Sequence, residues 1–171
     1  MIRSDEKLKK LAEIFNKDNN ILIIDAIRLL RNEQPFEGAI GLLITLFNKT
    51  DDPEVKKTIK GFFNDLKDQE ASREIIIEIL KEWKPDTISM LVSSCWQSGL
   101  DYSDYAIDIT KIFLKGDYVT AIECLTVIEE VAHDLNKEQK DEILRLISEN
   151  PTIDANEKRE LISELISILR R

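Results

Sequence analysis

Helix starts recur along this chain at nearly constant spacing, and no other feature restricts the fold as much. Val55, Ile88 and Val119 stand 33 and 31 residues apart, each just behind an acidic or proline start. Ile59, Val92 and Glu123 follow four residues later, and Phe62, Cys95 and Thr126 three residues after those. A period of roughly 32 residues is that of a helical hairpin used repeatedly. One hairpin of this length has too little core to fold by itself, so neighbours must stack and share an apolar face.

Only five glycines and four prolines occur, and no alternating run of β-branched residues lies between hairpin turns, so strands are not expected. Apolar residues instead recur at three and four, the period of one helix face. Start and stop signals divide the chain into ten segments. The first, 5–16, is capped by Ser4 and turns Leu8, Leu11, Ile14 and Phe15 inward, and the second, 21–32, is capped by Asn20. A third begins near Pro35 and carries Ile40, Leu43, Leu46 and Phe47 to a stop at Asn48. The fourth opens on Asp52 with Pro53 at the first helical position, where its missing N–H costs nothing. The fifth is capped near Ser72, presents Ile75, Ile76, Ile79 and Leu80, and ends at Trp83; the sixth runs from Pro85 to Gln97. Ser103 caps the seventh, which stops at Gly116, a residue suited to left-handed backbone after a helix end. Asp117 caps the eighth, Asn136 the ninth, and Asp154 or Asn156 the tenth, which turns Leu161, Leu165, Ile168 and Leu169 inward.

Ten helices make five hairpins. The expected fold is all-α, a right-handed α-α superhelix of about five helical hairpins, forming a single domain over residues 1–171. Short helices and frequent tight corners disfavour the rival, a compact bundle. The proline or aspartate start of the second helix in each pair, the spacing, and the lack of a tetratricopeptide or ankyrin signature resemble HEAT-like and armadillo-like repeats in their short bacterial form. The stretch 92–105, Val-Ser-Ser-Cys-Trp-Gln-Ser-Gly-Leu-Asp-Tyr-Ser-Asp-Tyr, resembles the same small proteins. That resemblance implies a superhelix offering a protein-binding surface and implies no enzymatic activity.

Composition narrows the function by exclusion. A chain of 171 residues buries roughly 70% of its unfolded surface and needs neither disulfide nor metal to fold. Cys95 and Cys124 form no CxxC pair, and the solitary His133 has no second imidazole beside it, so no cofactor, metal site or nucleophile–histidine pair is expected. Both cysteines fall on apolar helix faces and read as inert buried thiols. Residues 1–10 lack the apolar core of a signal peptide, and the apolar run 21–30 is short and broken by Asp25 and Arg28. A cytoplasmic protein with no membrane partner is therefore expected.

Charge is uneven. Residues 70–135 hold thirteen acidic and five basic residues, so −8 of the total −9 falls there. Such a centre repels phosphate backbones, which excludes nucleic acid as a partner. These acids also read simply as solvated helix faces. Asp101, Asp104 and Asp108 lack the glycine and glutamate of a calcium loop, and the last two suit the first turn of a helix.

The same window contains Trp96 and all three tyrosines. On the sixth helix Ile88, Leu91, Val92 and Cys95 share one face, while Ser89, Ser93 and Trp96 lie along its edge. Small serines beside a large ring make a shallow shelf, and a corner at Gly99 brings Tyr102 and Tyr105 back toward it. The bland alternative is that these rings fill gaps between hairpins. The candidate contact set is Ser89, Ser93, Trp96, Gln97, Tyr102, Tyr105, Tyr118, Glu123 and Glu130. On the eighth helix Val119, Glu123, Thr126, Glu130 and His133 form a polar stripe, with Glu129 and His133 spaced as an intrahelical pair. The leading reading is a non-enzymatic interaction module or scaffold whose acidic, aromatic-bearing middle surface binds a protein or peptide with basic residues. The alternatives are an enzyme using Glu123, Glu130 or His133 in a groove, and a structural subunit that associates with itself.

Overall fold

The computed structural model describes residues 4–33, 35–150 and 157–171. Among them all regular structure is helical. The chain forms two compact units, Met1–Leu100 and Asp101–Arg171.

The first unit contains α1 (Asp5–Phe15), α2 (Asn20–Asn32), α3 (Ala39–Lys49), α4 (Pro53–Asn64), α5 (Glu70–Ile79) and α6 (Pro85–Ser98). Each helix pairs with the next as a hairpin at α1–α2, α3–α4 and α5–α6. The odd helices stack α1 on α3 and α3 on α5, and the even helices stack α2 on α4 and α4 on α6. Two layers result, as sequential helical hairpins require. In the second unit a 3₁₀ turn, Ser103–Tyr105, leads into α7 (Ala106–Lys115), followed by α8 (Tyr118–Val131), α9 (Lys137–Ser148) and α10 (Arg159–Leu169). Here α7 packs on α9 and α8 on α10, with α7–α8 and α9–α10 as the hairpins.

Burial reveals a tighter periodicity than the sequence shows. Ile40, Leu43, Ile44 and Phe47 of α3 are buried, as are Ser72, Ile75, Ile76 and Ile79 of α5, each 32 residues on. Ala106, Ile109, Thr110 and Phe113 of α7, another 34 residues on, are buried too. In the even helices Ile23, Ile27 and Leu30 of α2 are matched 32 residues later by Val55, Ile59 and Phe62 of α4. Thr120, Cys124 and Val127 hold that place in α8. The α8 register is thus one residue from the expected one: Val119 is exposed, and Glu123 and Thr126 are half-buried. The cause is that α8 is apolar around most of its circumference, so its pattern does not single out a face.

Side-chain capping explains five of the ten α-helix starts among the described residues. Ser4, Asp52, Asp117 and Asn136 cap as expected, and Asn136 completes a capping box with Gln139. Five readings need correction. Ser103 does not cap the seventh helix: it opens the 3₁₀ turn, and α7 starts at Ala106 behind Tyr105 with no side-chain cap. Asn19, not Asn20, caps α2, which leaves the Asn20 amide to donate to Asp52 Oδ2 at 2.8 Å. The third helix starts at Ala39 rather than near Pro35, because Gly38 takes a left-handed φ of 88° there. Ser72 lies inside the first turn of α5, its hydroxyl donating to Gln69 O at 2.8 Å, and the helix ends before Trp83. Gly116 has an ordinary φ of −66°, and Gly99, after α6, is the left-handed one at 70°. The caps expected at Asp154 or Asn156 lie outside the described residues.

Polar bridges tie successive even helices at both ends. Asn20 reaches Asp52, and Lys56 Nζ reaches Asp86 Oδ2 at 2.8 Å. At the other end Arg31 pairs with Asp65, Asn64 donates to Gln97, and Lys67 Nζ donates to Ser98 O at 3.3 Å. In the second unit the buried Lys158 donates to Phe113 O, Leu114 O and Gly116 O at 2.8, 2.9 and 2.9 Å. Its ammonium occupies the negative end of α7, where the last carbonyls have no intrahelical donor.

Candidate functional site

In the first unit the candidate residues lie on α6. This helix carries no charged residue after Asp86, and that carboxylate is engaged by Lys56. Leu91, Val92 and Cys95 are buried, and Ile88 is half-buried. Ser89 and Ser93 are half-buried, Gln97 is exposed, and the Trp96 side of the helix stays open with that residue 39% exposed. Gln97 is fixed from two directions: Asn64 donates to its carbonyl oxygen, and its own amide donates to Ser93 Oγ at 2.7 Å. The result is an uncharged, preorganised ledge with one large amphipathic ring.

Charge around that ledge differs from the expectation. Glu70, Glu74 and Glu78 lie on α5, in the odd layer. The helix packed against α6 in the even layer is α4, which carries Lys56, Lys57 and Lys60. The ammonium of Lys56 sits 4.9 Å from the centre of the Phe47 ring, and that of Lys60 sits 5.9 Å from it. Sequence proximity to acids therefore does not make the α6 ledge acidic. The helical repeat alternates layers, so residues 15 to 25 apart in sequence emerge in different ones.

The second unit holds the other candidates. Tyr102 is a core residue, 1% exposed, with its ring 6.4 Å from that of the half-buried Tyr105. Tyr118 stands open at the start of α8. Val119 and Ile122 are exposed beside it, so this helix presents an apolar strip continuing into Glu123 and Glu130. This unit has sixteen acidic and nine basic residues, a net −7. The apolar strip thus sits in the acidic part of the molecule; the sequence places Val119 on the open stripe of the eighth helix, whereas it does not single out Ile122. The signal of Ile122 was hidden because an apolar residue on a broadly apolar helix reads as core.

Glu123 and Glu130 lie two helical turns apart on α8, about 10 Å along its axis. Glu130 and His133 are exposed, and His133 Nε2 lies 3.8 Å from Asp134 rather than pairing with Glu129. These three groups do not converge on one point. Cys95 and Cys124 are both buried. A further open recess beside α9 is lined by Ile107, Asn136, Gln139, Glu142 and Arg145. Arg145 there is held by Glu142 at 2.6 Å and Glu149 at 3.0 Å. No helix of the described residues is long and apolar enough to cross a membrane.

No protein-family model, curated protein or solved structure matched the chain.

Proposed function

We propose that the chain is a non-enzymatic protein-interaction module built from HEAT-like repeats and working in the cytoplasm. The observation that carries this reading is the exposed Trp96 on an uncharged, hydrogen-bonded ledge of α6. Tryptophan in the open brings much contact area at low entropic cost, which is why it anchors interfaces. The recurring buried register supports the repeat assignment, since stacked helical hairpins leave extended faces for partners. In the second unit Tyr118, Val119 and Ile122 add a similar apolar strip beside Glu123 and Glu130. A partner for that strip carries apolar anchors and basic residues, because like charge across an interface is costly.

The test is a pull-down from native lysate with the parent chain and with Trp96→Ala, Tyr118→Ala and Glu13→Ala, each melted in parallel. A captured partner should be lost with Trp96→Ala or Tyr118→Ala while the melting temperatures stay near the parent value, and Glu13→Ala should behave as parent. Raised salt should weaken capture through the acidic strip. Unchanged capture by both aromatic variants would show that the proposed faces are in the wrong place.

A further inference from the structure

The α6 ledge lies beside charge of the opposite sign to that of its sequence neighbours. On α4, Lys56, Lys60 and Asn64 stand four residues apart and so share one edge. That edge faces α6, because Lys56 Nζ reaches Asp86 Oδ2 at 2.8 Å and Asn64 donates to Gln97. Lys57 is exposed beside it, three residues from Lys60 and seven from Asn64, and Lys60 is exposed as well.

The acids near this edge are already engaged. Asp52 caps α4 and accepts from Asn20, Asp65 pairs with Arg31, and Asp86 is held by Lys56. Glu54 shares a different edge with Gly61 and Asp65, the residues that meet Arg31 of α2. Among the described residues no carboxylate pairs with Lys57 or Lys60, and the Lys60 ammonium lies 5.9 Å from the centre of the Phe47 ring. Two ammoniums are thus in excess here. Past Asp86, α6 adds only uncharged groups, among them Ser93, Gln97 and the 39% exposed Trp96.

The spacing fits a short segment. Lys60 lies about 6 Å along α4 from Asn64, and Asn64 is bonded to Gln97, the sequence neighbour of Trp96. Packed helix axes are roughly 8 to 10 Å apart. The lysines and the indole are therefore roughly 10 to 15 Å apart, the reach of three to four residues of extended chain.

We propose that the α6 ledge and the outer edge of α4 together dock an acidic peptide segment of a partner protein. Its apolar residue rests on Trp96, and its carboxylates, three to four residues away, meet Lys57 and Lys60. This rests on the reading of the ledge as a docking face and adds the charge of what docks there, opposite to that of a partner suited to the α8 strip. A few carboxylates match two ammoniums. A long polyanion is a poorer occupant, since the rest of a chain of net charge −9 repels it.

Nuclear magnetic resonance titration of the full chain with two synthetic peptides tests the proposal. Both peptides carry one phenylalanine anchor and differ only in having paired glutamates or paired lysines three to four residues from it. The glutamate peptide should shift the Trp96 indole signal and amide signals of α4 and α6. It should bind about tenfold tighter than the lysine peptide and weaken as salt rises. Lys57→Glu combined with Lys60→Glu, both at exposed positions, should keep parent helicity by circular dichroism and reverse the preference. Equal or tighter binding of the lysine peptide at Trp96 would overturn the acidic partner while leaving the docking face standing. No shift at Trp96 with either peptide would remove the face and the proposal together. The proposal would equally fall if the same signals shifted on dilution without peptide, which assigns the face to a second copy, or if the double variant kept the parent preference.

Discussion

One buried and one half-buried charged side chain show how single residues adapt to this stack. Lys158 gives up water and receives three carbonyls at the end of α7 in return. Burial pushes its ammonium below the usual lysine range, while Cys124 and Asp117 act the other way. Lys158→Met keeps the stem but strips those carbonyls of their donor, and should cost about 2 to 3 kcal/mol in urea unfolding. Glu74 of α5 is the reverse case. Burial raises its carboxyl above the ordinary glutamate value, although the Gly38 and Gly41 N–H groups favour the carboxylate, and Glu78 and Glu37 add repulsion. A carboxyl with a raised folded-state pKa binds protons more tightly when folded, so its ionisation opposes folding at neutral pH. That opposition fades as pH falls through the raised value. Glu74→Gln should therefore melt higher than the parent at neutral pH, and the gain should shrink toward about pH 4, near the ordinary glutamate value. Neither residue was legible in sequence, because a charged side chain on an amphipathic segment carries no mark of which neighbour will cover it. Cys95 and Cys124 were legible, since their helical positions coincide with the apolar face.

Helix ends were legible where a side chain does the capping. Ser4, Asp52, Asp117 and Asn136 have local partners within three residues, so sequence alone locates them. At α6 the proline locates the start at Pro85 in sequence, but the distant group that holds it was not legible. The start of α6 is held by Asn48 of α3, which accepts from Lys84 N and Thr87 Oγ1 at 3.0 Å each. Glycine shows the same limit: Gly116 was expected in left-handed backbone, but a Cβ there would instead meet Thr120 Cγ2 at 2.9 Å and Ile112 O at 3.0 Å. At Gly99 the positive φ itself is the constraint, for nothing lies within 4 Å of a Cβ placed there. Gly99→Ala should cost about 1 kcal/mol in thermal unfolding, and Gly99→Asn distinctly less, because asparagine tolerates left-handed backbone.

At the scale of the molecule, the hairpin count and the all-helical class followed from period and punctuation, while the assignment of faces did not. The expected overlay of Val55, Ile88 and Val119 finds the right helices and misplaces α8 by one residue. It also passes over Ile23, Ile27 and Leu30, because the first repeat has no proline or aspartate start. Tyr102 and Trp96, six residues apart, looked equivalent in sequence. The structure makes one core and the other open, in different units. The central claim is that the open faces of α6 and α8 are what this chain uses to bind. Hydrogen–deuterium exchange of the full chain with and without its captured partner measures that most directly. Added protection should concentrate in Pro85–Ser98 and Tyr118–Val131. Protection confined to the odd helices, with α6 and α8 exchanging as in the free chain, would contradict the account.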